Sequence, residues 1–330
     1  MDNRRVYLIG HLSEDLSNHE TRMGGAVAYM ARVFKNLGWT PRIITKLPEN
    51  HRYIQKLQDL GVEVHNLPIR NKDNMQSMTR FEIDYRGETR DIFLRDYQEE
   101  ITAEDLNSFP DIGGEDLIVA APVFNEIDNS VLAALSENHS IILCPQGNFR
   151  IAGDGGKITN VKWRQWREGI KYAELVFLSS EDLSFDFPEW SEILIKNMAM
   201  QSPVILTEGS FGSTVYFGEY KHKIEAYPLN ITEIKYLTGA GDVFSAAYLA
   251  MLFNDESGSF GRGLEFPGKF ASFYASAKIA GAGRAAGVDS VPEKRDLLFF
   301  AFRQGNKLEN YSPQLAQYLT GESGLRHIER

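Results

Sequence analysis

A chain of 330 residues that is 43% hydrophobic and 24% charged has the composition of a globular protein, with room for one large α/β domain or two modest ones. Its net charge of −10 and pI near 5.3 argue against a nucleic-acid or anionic-membrane surface, since both need clustered Lys and Arg, and leave small-molecule chemistry as the expectation. One cysteine, Cys144, and no Cys/His group at ligand spacing point to a reducing, cytoplasmic setting without structural zinc. The opening Met1–Arg5 leads into only a short apolar run, so no secretory leader is expected. No apolar run reaches the roughly 18 residues of a membrane span.

In chain order, Val6–Ile9 reads as a buried strand that leaves into Gly10-His11-Leu12-Ser13-Glu14-Asp15. A carboxylate off a strand end, Asp15, can hold sugar hydroxyls, which donate as well as accept; a plain loop aspartate is the alternative, and His11 reads as structural. Gly24-Gly25 opens a helix in which Val27, Met30, Phe34 and Leu37 recur at helical spacing before Gly38. Ile54, Leu57 and Leu60 mark a second helix before Gly61. Further strands are predicted at Arg42–Thr45, Leu117–Ala120, Ile141–Leu143, Leu175–Leu178 and Val204–Thr207. Strand and helix in alternation imply a doubly wound parallel sheet covered on both faces, in three α/β/α layers, with ligands at the carboxyl ends of the strands.

The stretch Thr79–Leu94 breaks this rhythm, because Phe81, Ile83 and Tyr85 alternate, Arg86-Gly87-Glu88 offers a turn, and Ile92 and Leu94 resume beyond it. A two-stranded ribbon is marginal alone, so its apolar face must cover something. It is read as a lid, with contact in a homodimer as the rival. Arg80, Arg86 and Arg90 fall on or near it, largely offset by Glu82, Asp84 and Glu88.

Two later segments carry chemistry. Thr207-Glu208-Gly209-Ser210-Phe211-Gly212 joins two strands by a glycine loop that lets backbone pass close to a nucleotide, although a hairpin turn alone would explain it. Some thirty residues on, Thr238-Gly239-Ala240-Gly241-Asp242 places a small-residue turn and a carboxylate at the start of an apolar helix. Unpartnered N–H groups and the helix dipole hold an anion there, and a carboxylate beside it can take the proton of an attacking hydroxyl. A capped glycine turn is the plain reading of such a string in isolation. Gly263–Phe270 nearly spells a phosphate-binding loop, but Phe270 replaces the hydroxyl and no apolar strand precedes it.

Taken together, Gly24-Gly25, Thr207-x-Gly209-x-x-Gly212 and Thr238-Gly239-Ala240-Gly241-Asp242, in this order and spacing, resemble the ribokinase-like (PfkB) carbohydrate kinase family over nearly the whole chain. The resemblance implies a single ribokinase-like domain across residues 1–330, with a small β-hairpin lid drawn mainly from about 75–96 and partly from 11–23. It implies ATP-dependent phosphorylation of a hydroxyl on a sugar, polyol or nucleoside. On that reading Asp242 is the general base, Gly239, Ala240 and Gly241 form the anion hole, Thr207, Gly209 and Gly212 line the nucleotide, and Asp15, Gly24 and Gly25 contact the acceptor. Pro145-Gln146-Gly147-Asn148-Phe149-Arg150 follows a strand end and resembles an acceptor segment, which makes Gln146 and Arg150 candidate contacts and leans toward inositol-kinase-like members.

Three departures from the family pattern stand out. Tyr236-Leu237-Thr238 replaces an Asp-Thr-Thr run, removing a carboxylate associated with a monovalent-cation site, so little dependence on K⁺ is expected. Tyr29 stands where many sugar-specific members carry an acceptor-binding asparagine. The Asn-x-x-Glu element that organises Mg²⁺ is missing, leaving Glu181 or Asp182 to serve through water. The expectation is a cytoplasmic kinase using ATP and Mg²⁺ on a small sugar, polyol or cyclitol, without nucleic-acid or membrane partners. A nucleoside kinase and a binding regulator that has lost turnover are the alternatives.

Overall fold

The described strands build three sheets, of nine, four and two strands. A computed structural model of the chain describes residues 4–17, 19–86, 89–183, 188–253, 263–283 and 286–320. It begins with β1 (Arg5–Ile9), β2 (Ser13–Ser17), β3 (Glu20–Gly24), α1 (Ala26–Asn36), β4 (Thr40–Thr45), α2 (Arg52–Asp59) and β5 (Glu63–Asn66). It continues with β6 (Arg80–Arg86), β7 (Thr89–Asp96), β8 (Leu117–Ala120), α3 (Asn129–Ser136), β9 (Ile141–Leu143), β10 (Arg150–Ala152), β11 (Ile158–Asn160) and α4 (Trp166–Ile170). Then follow β12 (Leu175–Ser179), α5 (Pro188–Ala199), β13 (Val204–Thr207), β14 (Ser213–Phe217) and β15 (Tyr220–Ile224). The helices α6 (Ala240–Leu252), α7 (Glu265–Ile279), α8 (Lys294–Gln304), α9 (Asn306–Tyr311) and α10 (Pro313–Thr320) close the chain.

The main sheet has nine strands in the order β15-β14-β13-β12-β9-β8-β1-β4-β5. It is parallel from β13 to β5 and antiparallel at β14 and β15. Both its faces are covered, as the continuous apolar strands require. Val6 and Leu8 of β1 pack into one core with α1, α6 and α7, while Tyr7 and Ile9 face the other core with α3, α4 and α5. Full burial of Val27, Met30 and Phe34 on α1 contributes about 1.5–3 kcal/mol for each side chain. Cys144 is buried, and burial pushes its thiol pKa up. The Gly263–Phe270 segment does not form a loop on a strand but leads into α7, whose Phe270 is fully buried.

The second sheet has four strands in the order β3-β2-β6-β7. The β6–β7 pair is the predicted hairpin, although Gly87 and Glu88 of its turn lie outside the described residues. It is not a lone ribbon, because β2 pairs with β6 in parallel, Asp15 standing opposite Phe81. Phe81 and Ile83 are buried in the first core, whereas Tyr85, expected on the same apolar face, is 44% exposed. The alternation persists to the strand end but the core beneath it does not, and the Tyr85 hydroxyl turns instead to Thr238.

Candidate active site

Asp15, Gln146, Asp182 and the Gly209 loop each follow the carboxyl end of a parallel strand, β1, β9, β12 and β13 respectively, which sets them along one edge of the sheet. Asp15 sits on β2, where Gly24 of β3, opposite Ser13, leaves room for its carboxylate, since a β-carbon on Gly24 would stand 2.1 Å from Asp15 Oδ2. The Ser13 hydroxyl donates to Asp15 Oδ1 at 2.7 Å. Burial nevertheless raises the Asp15 carboxyl to about 6, against the opposing pull of Ser13, Arg150 and Arg90. Gly25 caps α1 at φ 94°, with its α-hydrogens against the His11 carbonyl. Tyr29, one turn into that helix, is buried and lies in the field of both Asp15 and Asp242.

The turn Gly239–Asp242 starts α6, with Gly239 as its cap at φ 81° in the left-handed region. An α-helix leaves its first-turn N–H groups without intrahelical acceptors. Here the Ala240 N–H donates to the Leu237 carbonyl at 3.0 Å, so of the expected anion-hole residues Ala240 already has a partner. Nothing lies within 4 Å of the point where Gly241 would carry a β-carbon, which leaves its backbone open to a ligand. Burial raises the Asp242 carboxyl to about 6, with Arg150, Lys278 and Arg90 pulling it down and Asp182 pushing it up. A carboxylate near neutrality among cations has the character of a general base.

Arg150 opens β10 and donates to the Val123 carbonyl at 3.0 Å. Burial lowers its pKa against the field of Asp182 and Asp242. Asp182 is buried, accepts from the Ser179 N–H at 3.1 Å and from the Gln146 side chain, and is raised by burial. Glu181 points outward to Arg90 at 3.3 Å. The two neighbours therefore face different partners, and among the described residues no group of three or more His, Cys, Asp or Glu is placed to hold a metal ion. As direct ligands of Mg²⁺ they do not fit. Mg²⁺ commonly keeps several waters and leans on substrate phosphates.

On the proposed nucleotide side, Thr207 ends β13 with its hydroxyl donating to the Leu178 carbonyl at 3.3 Å. Gly209, at φ 57°, has open space around its missing β-carbon, as a site of ligand approach needs. Gly212 has another reason to be glycine, because a β-carbon there would stand 2.1 Å from the Ile224 carbonyl oxygen. Packing of β14 on β15, with φ 94°, demands it.

Sequence reasoning missed Lys278 and the reach of the hairpin. Arg90 and Tyr85 both contact the Thr238 hydroxyl, Arg90 at 3.2 Å, which brings the second sheet onto the anion turn. Lys278 is fully buried on α7 and donates to the carbonyls of Tyr236, at 2.7 Å, and Thr238. Its signal was a lone charge in the apolar run Phe270–Ala282.

A large, mostly parallel sheet flanked by helices, with a separate four-stranded sheet beside its carboxyl edge, is the ribokinase-like fold. The chain belongs to the pfkB family of carbohydrate kinases, whose description matches residues 6–290. It is accordingly a kinase that transfers a phosphoryl group to an alcohol. Among solved structures it is similar to a pyrophosphate-dependent kinase in the ribokinase family complexed with a pyrophosphate analog and myo-inositol, at TM-score 0.65 and 23% identity over 89% of this chain and 99% of that one. The nucleoside kinase of Methanocaldococcus jannaschii aligns at TM-score 0.66 and 17% identity over 93% and 98%. Fructokinase from Vibrio cholerae O395, in fructose, ADP and calcium ion bound form, aligns at TM-score 0.65 and 17% identity over 90% and 99%. A search of curated proteins by sequence returns no match.

Proposed function

We propose that the chain uses ATP to phosphorylate a hydroxyl of a small sugar or polyol, cyclitols included, with Asp242 as general base. The observation that carries this reading is Asp242 at the start of α6, its carboxyl raised to about 6 by burial against the opposing pull of Arg150, Lys278 and Arg90. Asp15, aided by Gln146 and Arg150, holds the acceptor. The hydroxyl proton passes to the Asp242 carboxylate as its oxygen bonds to the terminal phosphorus. The bond from that phosphorus to the bridging oxygen breaks, and ADP departs with the electron pair. N–H groups of Gly239, Gly241 and Asp242, together with Arg90, face the charge on the transferred group. Gly209 and its loop line the nucleotide, and the second sheet acts as a lid because Tyr85 and Arg90 already touch Thr238. Were Mg²⁺ bound with the nucleotide phosphates, Glu181 or Asp182 would hold it through water, and the ion would supply charge neutralisation at those phosphates.

Similarity to a pyrophosphate-dependent kinase makes pyrophosphate the second donor to test. The deciding experiment is a screen of ATP and pyrophosphate against sugars, polyols, cyclitols and nucleosides, read as acceptor-dependent release of ADP or phosphate. Binding of donor and acceptor without such release would replace this reading by that of a regulator.

A further inference from the structure

Lys278 is a fully buried ammonium group whose surroundings, among the described residues, contain no carboxylate within ion-pair distance. Its hydrogen-bond partners are two main-chain carbonyls, of Tyr236 and Thr238, and its charge lies 5.7 Å from the centroid of the Tyr29 ring. Burying an ammonium in this way is unfavourable, and an apolar side chain of similar length would fill the space at less cost. The next residue of α7 completes a clamp, because the Ile279 carbonyl accepts the N–H groups of Lys235 at 2.9 Å and Tyr236 at 3.2 Å. Residues 235–238 are thus held from both sides by the end of one helix.

A consequence follows from peptide geometry. In a trans peptide the C=O and the N–H point in opposite directions, and no cis bond occurs among the described residues. With the Thr238 carbonyl fixed toward Lys278, the Gly239 N–H must face away from it. A cation at the carbonyl also polarises the peptide and strengthens its N–H as a donor. The charged groups in the field of Lys278 are Asp242 of α6 and Arg90 of β7, with Tyr29 of α1 as the aromatic wall.

We propose that Lys278 is a positioning residue that supplies, from within the chain, the cation around which residues 236–238 are ordered, and that it thereby aims the anion turn at the phosphoryl donor. The proposal rests on the kinase reading for its donor but not for its geometry. It also accounts for the expected indifference to K⁺, because the carbonyls that could hold a soluble cation already hold one.

The test compares the native enzyme with Lys278→Ala and Lys278→Met in tetramethylammonium buffer, then with K⁺, ammonium or propylammonium added. The native enzyme is expected to vary by less than about twofold among these cations. Lys278→Ala should lose about tenfold or more in kcat/KM for the donor with little change in the acceptor KM. Propylammonium or ammonium, which can donate hydrogen bonds into the vacated space, should restore much of that loss, and tetramethylammonium should not. Lys278→Met, which fills the space without charge, should show the loss and no rescue. Undiminished kcat/KM in Lys278→Met, a loss confined to the acceptor KM, or a folded Lys278→Ala that no cation restores would overturn the proposal. If Lys278→Ala does not fold, Lys278→Met decides alone by its donor kcat/KM. Calorimetric titration with pyrophosphate separates this from the kinase reading: native protein without turnover on any acceptor tells against the kinase, while unchanged pyrophosphate affinity in Lys278→Met still overturns the role of Lys278.

Discussion

The ring of Tyr29 lies so close beneath Gly239 that a β-carbon on Gly239 would stand 2.5 Å from Tyr29 Cε1. Helix α1 and the turn that starts α6 are therefore in direct contact, and Gly239 is needed twice, for its φ of 81° and for its lack of a side chain. Gly239→Ala is expected to lower donor kcat/KM by about tenfold to a hundredfold. Tyr29→Ala in the same chain removes the clash and leaves only the backbone strain of about 1–2 kcal/mol, so the double variant should recover part of the loss. Full activity in Gly239→Ala would mean that the turn does not meet the donor.

Asp242→Asn should keep the fold and donor affinity while turnover drops by about 10²–10⁴, the usual contribution of a positioned base. The base must be ionised, so kcat/KM should rise with pH through about 6, where burial holds Asp242. Burial also lowers the Lys278 ammonium to about 7, so its charge fades above that value and the profile should fall again. The variant should lose the acid limb from its residual rate. An acid limb unmoved in Asp242→Asn assigns it to another group.

Asp15 is raised from 3.8 to about 6, and the sign of its effect on stability follows. Between those values the folded state binds more protons than the unfolded one, so stability is highest below the lower value and declines as pH rises through the upper one. At pH 7 the buried charge is a liability, and Asp15→Asn should stabilise the fold by about 1–3 kcal/mol while raising the acceptor KM. Thermal melts across this pH range, with a lower midpoint for Asp15→Asn at pH 7, would refute the argument. Gly24→Ala should displace the same carboxylate and raise the acceptor KM alone.

The hairpin makes two separable contributions. Tyr85→Phe removes only the hydroxyl that meets Thr238, so the melting temperature should hold while KM rises a few-fold. Phe81→Asp places an unpaired charge at a site that is 5% exposed and should destabilise by about 3 kcal/mol or more. If KM stays level in Tyr85→Phe and sedimentation of that variant shifts, the face serves a homodimer instead of a lid.

Much of the fold was legible because parallel strands buried on both faces are apolar throughout, so β1, β8, β9, β12 and β13 are visible without their partners. The pairing of β2 with β6 was not, since nothing local in Ser13–Ser17 shows that its neighbour lies sixty residues downstream. In the site, Gly239–Asp242 could be found because a helix start is a local event. Arg150 and Asp182 were named from the sequence but not their mutual field, and Lys278 was not named at all, because no spacing encodes which distant charges a buried group will meet. Gly212 is ambiguous for a related reason: a glycine that serves packing and one that serves a ligand are the same letter.

No spacer separates β3 from α1: Gly24 ends the strand, Gly25 caps the helix, and Tyr29 follows one turn later. The small sheet is thus coupled to the helix like a crank to its shaft. A displacement of that sheet would pull on the start of α1 and, through the Tyr29 ring, on Gly239 at the start of α6.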